Sequence, residues 1–392
     1  MDLFGKTQNI TTNLPILLRC FYFFLFNGKA NKEITSPISI VIIQRAKLGD
    51  MIVTTSMFRA VKKTFPDCKV TVVGSTTNKQ VLDGNKDVDD YIVWEDDLNK
   101  MIRTLRQKKY DFACMTGPNF HSLAVLYLSG IKSIAAPFVT NGWSPYETKS
   151  YKIIRNFAIK KEHKMGHYVP REYLRLLETI NIFSNDITKF VFWSKEADLK
   201  MNELISSIDK KYSLLVGIMP GAGNKIKEWL PERFAAVADY LIERYQAYVL
   251  IIGNSKLNRK EIDKMLAPIK NKDCVKDASH TSIDELKALV SKLDMTVSAD
   301  TGPIFIAQAS GVPTVDIAGS IHPDEMAPND GKYHLLVRSK GEPEIWTMNA
   351  RILNYDRARK QIESITVSMV TEKVDELVKK IRTRRTKSPQ FT

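Results

Sequence analysis

An aspartate follows a leucine–glycine pair at the point where an apolar strand should turn into a helix. The glycine of Leu48-Gly49 permits a tight turn and leaves Asp50 near the start of that helix. A carboxylate in this position can act as a general base when an acceptor hydroxyl lies within hydrogen-bond reach. The position equally favours an aspartate that only caps the helix. Asp50 is therefore a candidate catalytic base, with capping as the alternative.

A glycine-containing segment, residues 219–234 (MPGAGNKIKEWLPERF), follows another apolar strand. Backbone N–H groups near Gly221 and a mobile ammonium at Lys227 are suited to holding a phosphate. The segment has neither the Gly-Lys-Ser/Thr of a Walker A loop nor a G-x-G-x-x-G pattern. A structural alternative is that Trp229 and Pro231 seat the following helix. The segment predicts an anion site in which Lys227 supplies the charge.

A third turn, Ser298-Ala-Asp-Thr-Gly-Pro303, lies between a predicted strand and a predicted helix. Proline suits the first helical position, which leaves Thr301 and Gly302 to present donors to an anion at the helix start. The alternative is that Asp300 or Thr301 caps the helix. This turn is a second candidate for holding a phosphorylated ligand.

The three turns lie within an alternation of apolar strands and amphipathic helices that is typical of an α/β protein with parallel sheets. One series runs from a strand at 38–43 to a helix at 122–128, and a second runs from a strand at 214–219 to one at 314–318. Parallel sheets bind ligands at the carboxyl ends of their strands, where these turns lie. The sequence therefore predicts two Rossmann-like domains that face each other across a cleft.

The domain boundaries follow from the same pattern. A polar, helical stretch at 194–211 connects the two series. The predicted organisation is an N-terminal apolar and aromatic extension (1–37), an N-terminal Rossmann-like domain (38–193), a linker (194–212), a C-terminal Rossmann-like domain (213–350), and a closing helix with a basic tail (351–392).

The charge balance indicates the kind of partner. Lys and Arg number 58 and Asp and Glu 44, which gives a formal net charge of +14. Such a surplus favours an anionic partner: nucleic acid, anionic lipid or a phosphorylated substrate. The four cysteines are scattered and form no C-x-x-C pair. They disfavour a disulfide scaffold and a zinc ribbon, and they are typical of a protein in a reducing cytosol.

Residues 14–26 (LPILLRCFYFFLF) are apolar and aromatic, but they are too few to span a bilayer and Arg19 interrupts them. Only Lys6 provides an early cation, and no small-residue cleavage site follows, which disfavours a signal peptide. Two interpretations remain open. The stretch is either a helix packed on the body of the protein or an aromatic helix lying in a membrane interface, with Lys29 and Lys32 beside it.

The order and spacing of the three turns together resemble the ADP-heptose:lipopolysaccharide heptosyltransferase family, glycosyltransferase family 9. The matching elements are R-x-x-LGD at 45–50, PGA…K-x-W…PE-x-F at 220–234, and DTGP followed by GVP at 300–313. The resemblance spans roughly residues 38–330, with a weaker echo at 365–370. It implies a GT-B architecture with the acceptor on the N-terminal domain and the nucleotide-sugar on the C-terminal one.

The resemblance also implies an activity. Members are inverting glycosyltransferases that need no metal ion or other cofactor, and the expected reaction moves heptose from ADP-heptose to a lipopolysaccharide core acceptor. Asp50 would deprotonate the acceptor hydroxyl, and Lys227 would neutralise the diphosphate leaving group. The residues expected to bind the donor are Gly221, Lys227, Asp300, Thr301 and Gly302. Without a metal, lysine and aligned N–H dipoles must meet the leaving-group charge.

An anionic, lipid-borne acceptor would account for the positive charge. The residues expected to bind it are Arg45, Lys47, Lys100, Arg103 and Lys132. The implied location is the cytoplasm, peripheral to the anionic inner face of the cytoplasmic membrane, with no nucleic-acid partner. The sequence departs from the family at Phe305, where many members carry a histidine, and this difference bears on the donor-sugar contacts.

Two other functions remain open. The same fold serves nucleotide-sugar isomerases of the 2-epimerase type, which act without an acceptor. A non-catalytic basic protein that binds nucleic acid or membrane is the second alternative. The basic clusters show no interleaved aromatic residues of the kind that a single-strand stacking groove uses, which disfavours nucleic acid.

Overall fold

The chain folds into two compact units. The computed structural model describes residues 10–208, 211–253, 255–346, 351–352 and 354–387. Unit 1 comprises residues 10–46, Thr54–Lys79 and Lys86–Thr188, and unit 2 comprises Lys47–Val53, Gln80–Asn85 and the described residues from Lys189 onward. Each unit is built on one six-stranded sheet in which all paired strands are parallel.

The sheet of unit 1 has the strand order β3-β2-β1-β4-β5-β6. Its strands are β1 (Ser39–Ile43), β2 (Lys69–Gly74), β3 (Asp90–Val93), β4 (Phe112–Met115), β5 (Ser133–Val139) and β6 (Ile159–His163). The central strand β1 is rich in β-branched residues and almost wholly buried, as expected where helices cover both faces of a parallel sheet.

The sheet of unit 2 has the strand order β12-β11-β10-β7-β8-β9. Its strands are β7 (Leu214–Met219), β8 (Ala247–Ile251), β9 (Val275–Asp277), β10 (Met295–Ala299), β11 (Thr314–Gly319) and β12 (His334–Arg338). Counted within its unit, each sheet has the Rossmann order 3-2-1-4-5-6. A separate antiparallel pair joins β13 (Ile345–Trp346) to β14 (Arg351–Ile352).

Helices connect the strands. Those of the first half are α1 (Ile10–Asn27), α2 (Leu48–Thr64), α3 (Thr76–Leu82), α4 (Leu98–Lys108), α5 (Phe120–Leu128), α6 (Lys149–Ile154) and α7 (Val169–Leu174). Those of the second half are α8 (Lys195–Ser206), α9 (Pro231–Tyr245), α10 (Ser255–Leu266), α11 (Ile283–Ser291), α12 (Gly302–Ala309), α13 (Tyr355–Ser364) and α14 (Val367–Lys387). Short 3₁₀ turns span Arg155–Phe157, Arg175–Ile180, Lys225–Lys227 and Lys272–Cys274.

The long C-terminal helix α14 closes one face of the unit 2 sheet. Its apolar residues recur at helical spacing, and Val370, Val374, Leu377 and Val378 are essentially inaccessible to solvent. They pack against α9, β11 and β12. Burying each such side chain contributes about 1.5–3 kcal/mol, so α14 is an integral part of unit 2.

The N-terminal helix α1 packs on unit 1 through one stripe. Asn13, Leu17 and Cys20 are buried at spacings of four and three residues, and the helix contacts α5 and α6. Two interpretations of residues 14–26 were left open by the sequence. The buried side chains of α1 confirm the one in which the helix packs on the body of the protein. No helix within the described ranges is both long enough and apolar enough to cross a membrane.

The two parallel sheets confirm the predicted α/β class with two Rossmann-like halves. The predicted strands at 38–43 and 214–219 correspond to β1 and β7 within one residue at either end. The polar connecting stretch forms α8, which packs on α11 in unit 2. Ion pairs also connect α8 to this part of unit 2, for example between Lys292 Nζ and Asp198 Oδ1 at 2.6 Å.

Candidate active site

The loops that follow β7 and β10 lie at the topological switch point of the unit 2 sheet. The two strands are neighbours in register, with Met219 opposite Ser298. The chain leaves β7 toward one edge of the sheet, while β10 begins the other half. A parallel sheet opens a crevice at this point, beyond the carboxyl ends of its strands. The glycine segment that begins at Pro220 and the turn that begins at Asp300 both start there.

An ion pair joins these two loops. Lys227 Nζ donates to Asp300 Oδ2 at 2.5 Å, although the two residues are 73 positions apart in the chain. The Asp300 side chain is 7% exposed and the Lys227 side chain 27%. Burial opposes the charged form of Lys227, but the charges of Asp300, Asp316 and Asp50 outweigh it and raise its pKa. Lys227 is therefore a fixed cation at the crevice.

Asp316 is a third carboxyl group in this cluster, on strand β11. It is fully buried, and neither of its carboxyl oxygens has a hydrogen-bond partner among the described residues. Burial, reinforced by the negative charge of Asp300, raises its pKa well above the ordinary range, against the opposing effect of Lys227. The residue lies outside the three turns that the sequence predicts as the site. The signal was available, because a charged residue rarely occurs inside an otherwise apolar parallel strand.

Asp50 lies in the first turn of α2 and is half-buried. Burial raises its pKa to about 6, and the charges of Lys227 and Lys47 and the backbone N–H groups of Lys47 and Asp50 itself oppose that rise. These N–H contacts give the carboxylate part of the capping role that the sequence left open. A carboxyl group with a pKa near neutrality is also suited to general base catalysis. The structure therefore brings Asp50 together with Lys227 and Asp300.

Two glycines allow the start of α2 to lie against the start of α12. A Cβ on Gly49 would come within 2.8 Å of the Phe305 ring, and a Cβ on Gly302 within 2.9 Å of Leu48 Cδ2. The first turn of α2 belongs to unit 2, the unit that holds Lys227. Phe305, which replaces the histidine expected from the resemblance, is a buried packing partner of Gly49.

The Gly49–Phe305 contact gives a direct test of this packing. We expect Gly49→Ala to lower the free energy of unfolding by about 1–3 kcal/mol, the usual cost of overpacking. Phe305→Leu in the same chain should restore part of the loss, because it frees the space that the new methyl needs. Thermal unfolding of the single and double variants measures both effects. Gly117→Ala is the matched control, since a Cβ there meets nothing within 4 Å.

The start of α12 is left open by its own side chains. Thr301 occupies the N-cap position and its side chain makes no capping hydrogen bond, while Pro303 lies in the first turn. Asp300 is engaged with Lys227 instead. The capping alternative is therefore wrong for the Thr301 side chain. The N–H groups at this helix start can bind an anion.

The glycine loop is held on both sides. A Cβ on Gly221 would come within 2.3 Å of the Asn258 side chain, and Lys47 Nζ donates to the Gly223 carbonyl at 3.1 Å. The structural alternative, in which Trp229 seats the following helix, is confirmed for that residue, because its ring packs edge-on against Phe234 of α9 with centroids 5.0 Å apart. Trp229 is buried, and its indole N–H donates to the Ile365 carbonyl at 2.9 Å. The loop thus presents Lys227 while Trp229 anchors it.

The residues predicted to bind the acceptor fall into two groups. Lys47 lies beside Lys227, whose charge helps to lower the Lys47 pKa after the larger effect of burial. The others belong to unit 1. Arg45 stacks over the Trp94 ring with its Cζ 3.9 Å from the centroid, and Lys100 pairs with Glu95 at 2.7 Å. Two more are surface cations of unit 1: Arg103 and Lys132.

The Lys227 ammonium is hydrogen-bonded to Asp300 and also experiences the negative charges of Asp316 and Asp50. Within the part of the chain that the structure describes, no group of three or more His, Cys, Asp or Glu side chains is placed to hold a metal ion. The arrangement can supply a carboxylate base, a cation and a helix N-terminus to an anionic ligand, which are the groups needed to displace a diphosphate.

Comparison with known proteins shows the family of the chain. The family model described as glycosyltransferase family 9 (heptosyltransferase) matches residues 98–345. Lipopolysaccharide heptosyltransferase 2 of Escherichia coli (strain K12) is 22% identical over 317 residues, which cover 76% of this chain and 87% of that protein. Lipooligosaccharide heptosyltransferase 2 of Haemophilus influenzae is 23% identical over 365 residues, covering 87% and 100%.

The fold comparison leads to the same group. A glycosyl transferase family 9 structure from Veillonella parvula superposes with a TM-score of 0.72 at 19% identity, covering 86% of this chain and 96% of that one. The family match also favours glycosyl transfer over the isomerase alternative. Because the family model covers more than half of the sequence, the chain belongs to glycosyltransferase family 9, the heptosyltransferases, and its two Rossmann-like units are those of a GT-B glycosyltransferase.

Proposed function

We propose that this enzyme transfers heptose from ADP-heptose to a lipopolysaccharide core acceptor by a single, inverting displacement that needs no metal ion. The observation that carries the proposal is the ion pair between Lys227 and Asp300 at the switch point, with Asp50 on the adjoining helix turn. The names of the relatives support heptose as the transferred sugar and the acceptor class, since they describe lipopolysaccharide and lipooligosaccharide heptosyltransferases.

Asp50 begins the reaction in this proposal. Its carboxylate removes the proton of the acceptor hydroxyl as the oxygen attacks the anomeric carbon of the donor. A pKa of about 6 leaves Asp50 largely ionised at neutral pH, yet more basic than an ordinary aspartate. The new glycosidic bond forms on the face opposite the leaving group, so the anomeric configuration inverts.

The leaving nucleoside diphosphate gains negative charge as its bond to the sugar breaks. Lys227 meets that charge, and the N–H groups at the start of α12 add their aligned dipoles. Asp300 orients the ammonium through the 2.5 Å hydrogen bond. In this proposal Gly221, Thr301 and Gly302 line the donor cradle, and Lys47 supplies a second cation next to Lys227.

The acceptor accounts for the cations of unit 1. A phosphorylated, lipid-borne core is strongly anionic, and the chain carries a net charge of +14. We place Arg45, Lys100, Arg103 and Lys132 among the groups that attract it. The enzyme would then work in the cytoplasm, at the inner face of the cytoplasmic membrane.

A transfer assay tests the donor and acceptor together. The purified chain is incubated with ADP-heptose and a heptose-deficient lipopolysaccharide core, and ADP release and product mass are measured. We expect a single added heptose that requires both substrates. ADP should also raise the unfolding temperature more than UDP does, because stabilisation follows affinity. Conversion of a UDP-sugar to its epimer without an acceptor would contradict the proposal and favour an isomerase.

A further inference from the structure

Helix α1 exposes a continuous apolar face. Leu18, Tyr22, Leu25 and Phe26 are 60, 66, 76 and 72% exposed, and Leu14 and Phe21 extend the same stripe. Their positions follow helical spacing, so the side chains lie on one side of the helix. An apolar patch of this kind on a folded protein marks an interaction surface.

The opposite face fixes α1 to unit 1, so the exposure is a property of the fold. Leu17 and Cys20 are buried in the unit 1 core, and Asn13 Nδ2 donates to Ser150 Oγ at 3.2 Å. Phe24 stacks on Phe157 with ring centroids 4.6 Å apart. The outward side chains are therefore held in place on a rigid base.

A lysine-lined groove adjoins the end of α1. It has a volume of about 490 Å³, and the charged residues of its lining are four lysines and one glutamate: Lys29, Lys32, Lys160, Lys161 and Glu33. Two of the lysines follow α1 directly in the chain. Lys161 pairs with Glu178 at 3.2 Å. The remaining cations give the groove a positive character.

We propose that the exposed face of α1 and this groove form a docking surface for an anionic phospholipid bilayer. The helix lies in the plane of the interface, its aromatic and leucine side chains enter the acyl region, and the lysines contact headgroup phosphates. The charge pattern identifies the occupant, since residues 10–33 contain three cations, Arg19, Lys29 and Lys32, against a single acidic residue, Glu33. A second copy of the chain on this face would bring two lysine-rich grooves together, and nucleic acid would leave the apolar stripe in water.

The inference rests on the proposed function, because it assigns the surface by which the enzyme would bind the membrane. Vesicle binding tests it independently of catalysis. The full chain is sedimented with vesicles of phosphatidylcholine alone or with 30 mol% phosphatidylglycerol. We expect at least tenfold stronger binding to the anionic vesicles, weakened by salt. Leu25→Glu/Phe26→Glu should lower that binding at least tenfold, and Lys29→Glu/Lys32→Glu should remove the preference for anionic lipid.

Matched controls change exposed residues elsewhere in unit 1. Phe183→Glu removes an apolar side chain that is 77% exposed, and Lys79→Glu reverses an exposed charge. Both should bind vesicles like the parent chain. The inference is overturned if the parent chain ignores anionic vesicles or if the α1 variants bind as well as the controls. A dimer that Leu25→Glu/Phe26→Glu dissociates would assign the face to a second copy instead.

Heptosyl transfer to a detergent-dispersed acceptor separates this inference from the proposed function. The α1 variants should retain transfer within about twofold while losing vesicle binding. Vesicle binding without any transfer would overturn the proposed function and leave the docking surface standing. Heptosyl transfer without vesicle binding would overturn the docking surface and leave the proposed function standing.

Discussion

Asp50→Asn should lower the rate constant for heptosyl transfer by about 10²–10⁴-fold, the usual contribution of a positioned general base. The amide keeps the size of the side chain but cannot take the acceptor proton. Donor binding should change little, because Lys227 and the start of α12 hold the diphosphate in the proposed mechanism. Steady-state kinetics and titration with ADP measure the two effects separately.

The pH dependence of the parent enzyme should also show that Asp50 acts as the base. Burial raises the Asp50 pKa to about 6, so protonation below that pH removes the base. We expect kcat/KM to fall tenfold per pH unit below about 6, and this limb should be absent in Asp50→Asn. Asp67→Asn, at an exposed position just after the same helix, is the matched control. Near-normal turnover of Asp50→Asn would contradict the role of Asp50 as base.

Stability should respond in the opposite direction to activity. A carboxyl group whose pKa is higher in the folded than in the unfolded chain stabilises the fold when protonated, and this stabilisation is lost as the pH rises from about 4 to 6. Asp50→Asn removes the half-buried charge, whose desolvation is unfavourable at neutral pH. Its unfolding temperature at pH 7.5 should therefore equal or exceed that of the parent. This readout shows that lost activity does not come from lost structure.

Lys227→Met should lower kcat/KM by about 10²–10³-fold, the range observed when a group that stabilises transition-state charge is removed. It should also weaken ADP binding, because the diphosphate loses its fixed cation. The variant leaves Asp300 buried without its partner, and breaking such a pair costs about 3–5 kcal/mol. Kinetics, ADP titration and thermal unfolding measure the three effects.

A double variant separates the two roles of Lys227. Lys227→Met/Asp300→Asn removes both charges of the ion pair, so much of the lost stability should return while activity stays low. Lys225→Met, on the same 3₁₀ turn and exposed to solvent, is the matched control and should behave like the parent. Recovery of activity in the double variant would show that the ammonium acts only on stability.

The sequence predicted the central strands because their composition has a single physical explanation. The apolar, β-branched run of β1 and the apolar run of β7 are expected only where both faces of a parallel strand are buried. Strand β6 (IKKEH) and the three-residue β9 were not predicted. They lie at sheet edges, where polar residues are tolerated and no alternation marks the strand.

The sequence predicted the three turns that form the site, but not that their side chains would lie close together. Lys227 and Asp300 meet because β7 and β10 are neighbours, a property of strand order that no local pattern reveals. The place of Asp50 depends on Gly49 packing against Phe305, a contact across 256 positions. The sequence likewise could not decide between the two interpretations of residues 14–26. In the structure one side of α1 is buried against unit 1 and the other apolar side is exposed to solvent.

The anomeric configuration of the product tests the central claim most directly. The enzyme, treated with EDTA, transfers heptose from ADP-heptose to the core acceptor, and NMR of the product reports the configuration at the anomeric carbon of the new linkage. A direct displacement driven by Asp50, with Lys227 holding the departing diphosphate, predicts full activity and a configuration opposite to that of the donor. Retention of the donor configuration, or loss of transfer on removal of metal ions, would contradict it.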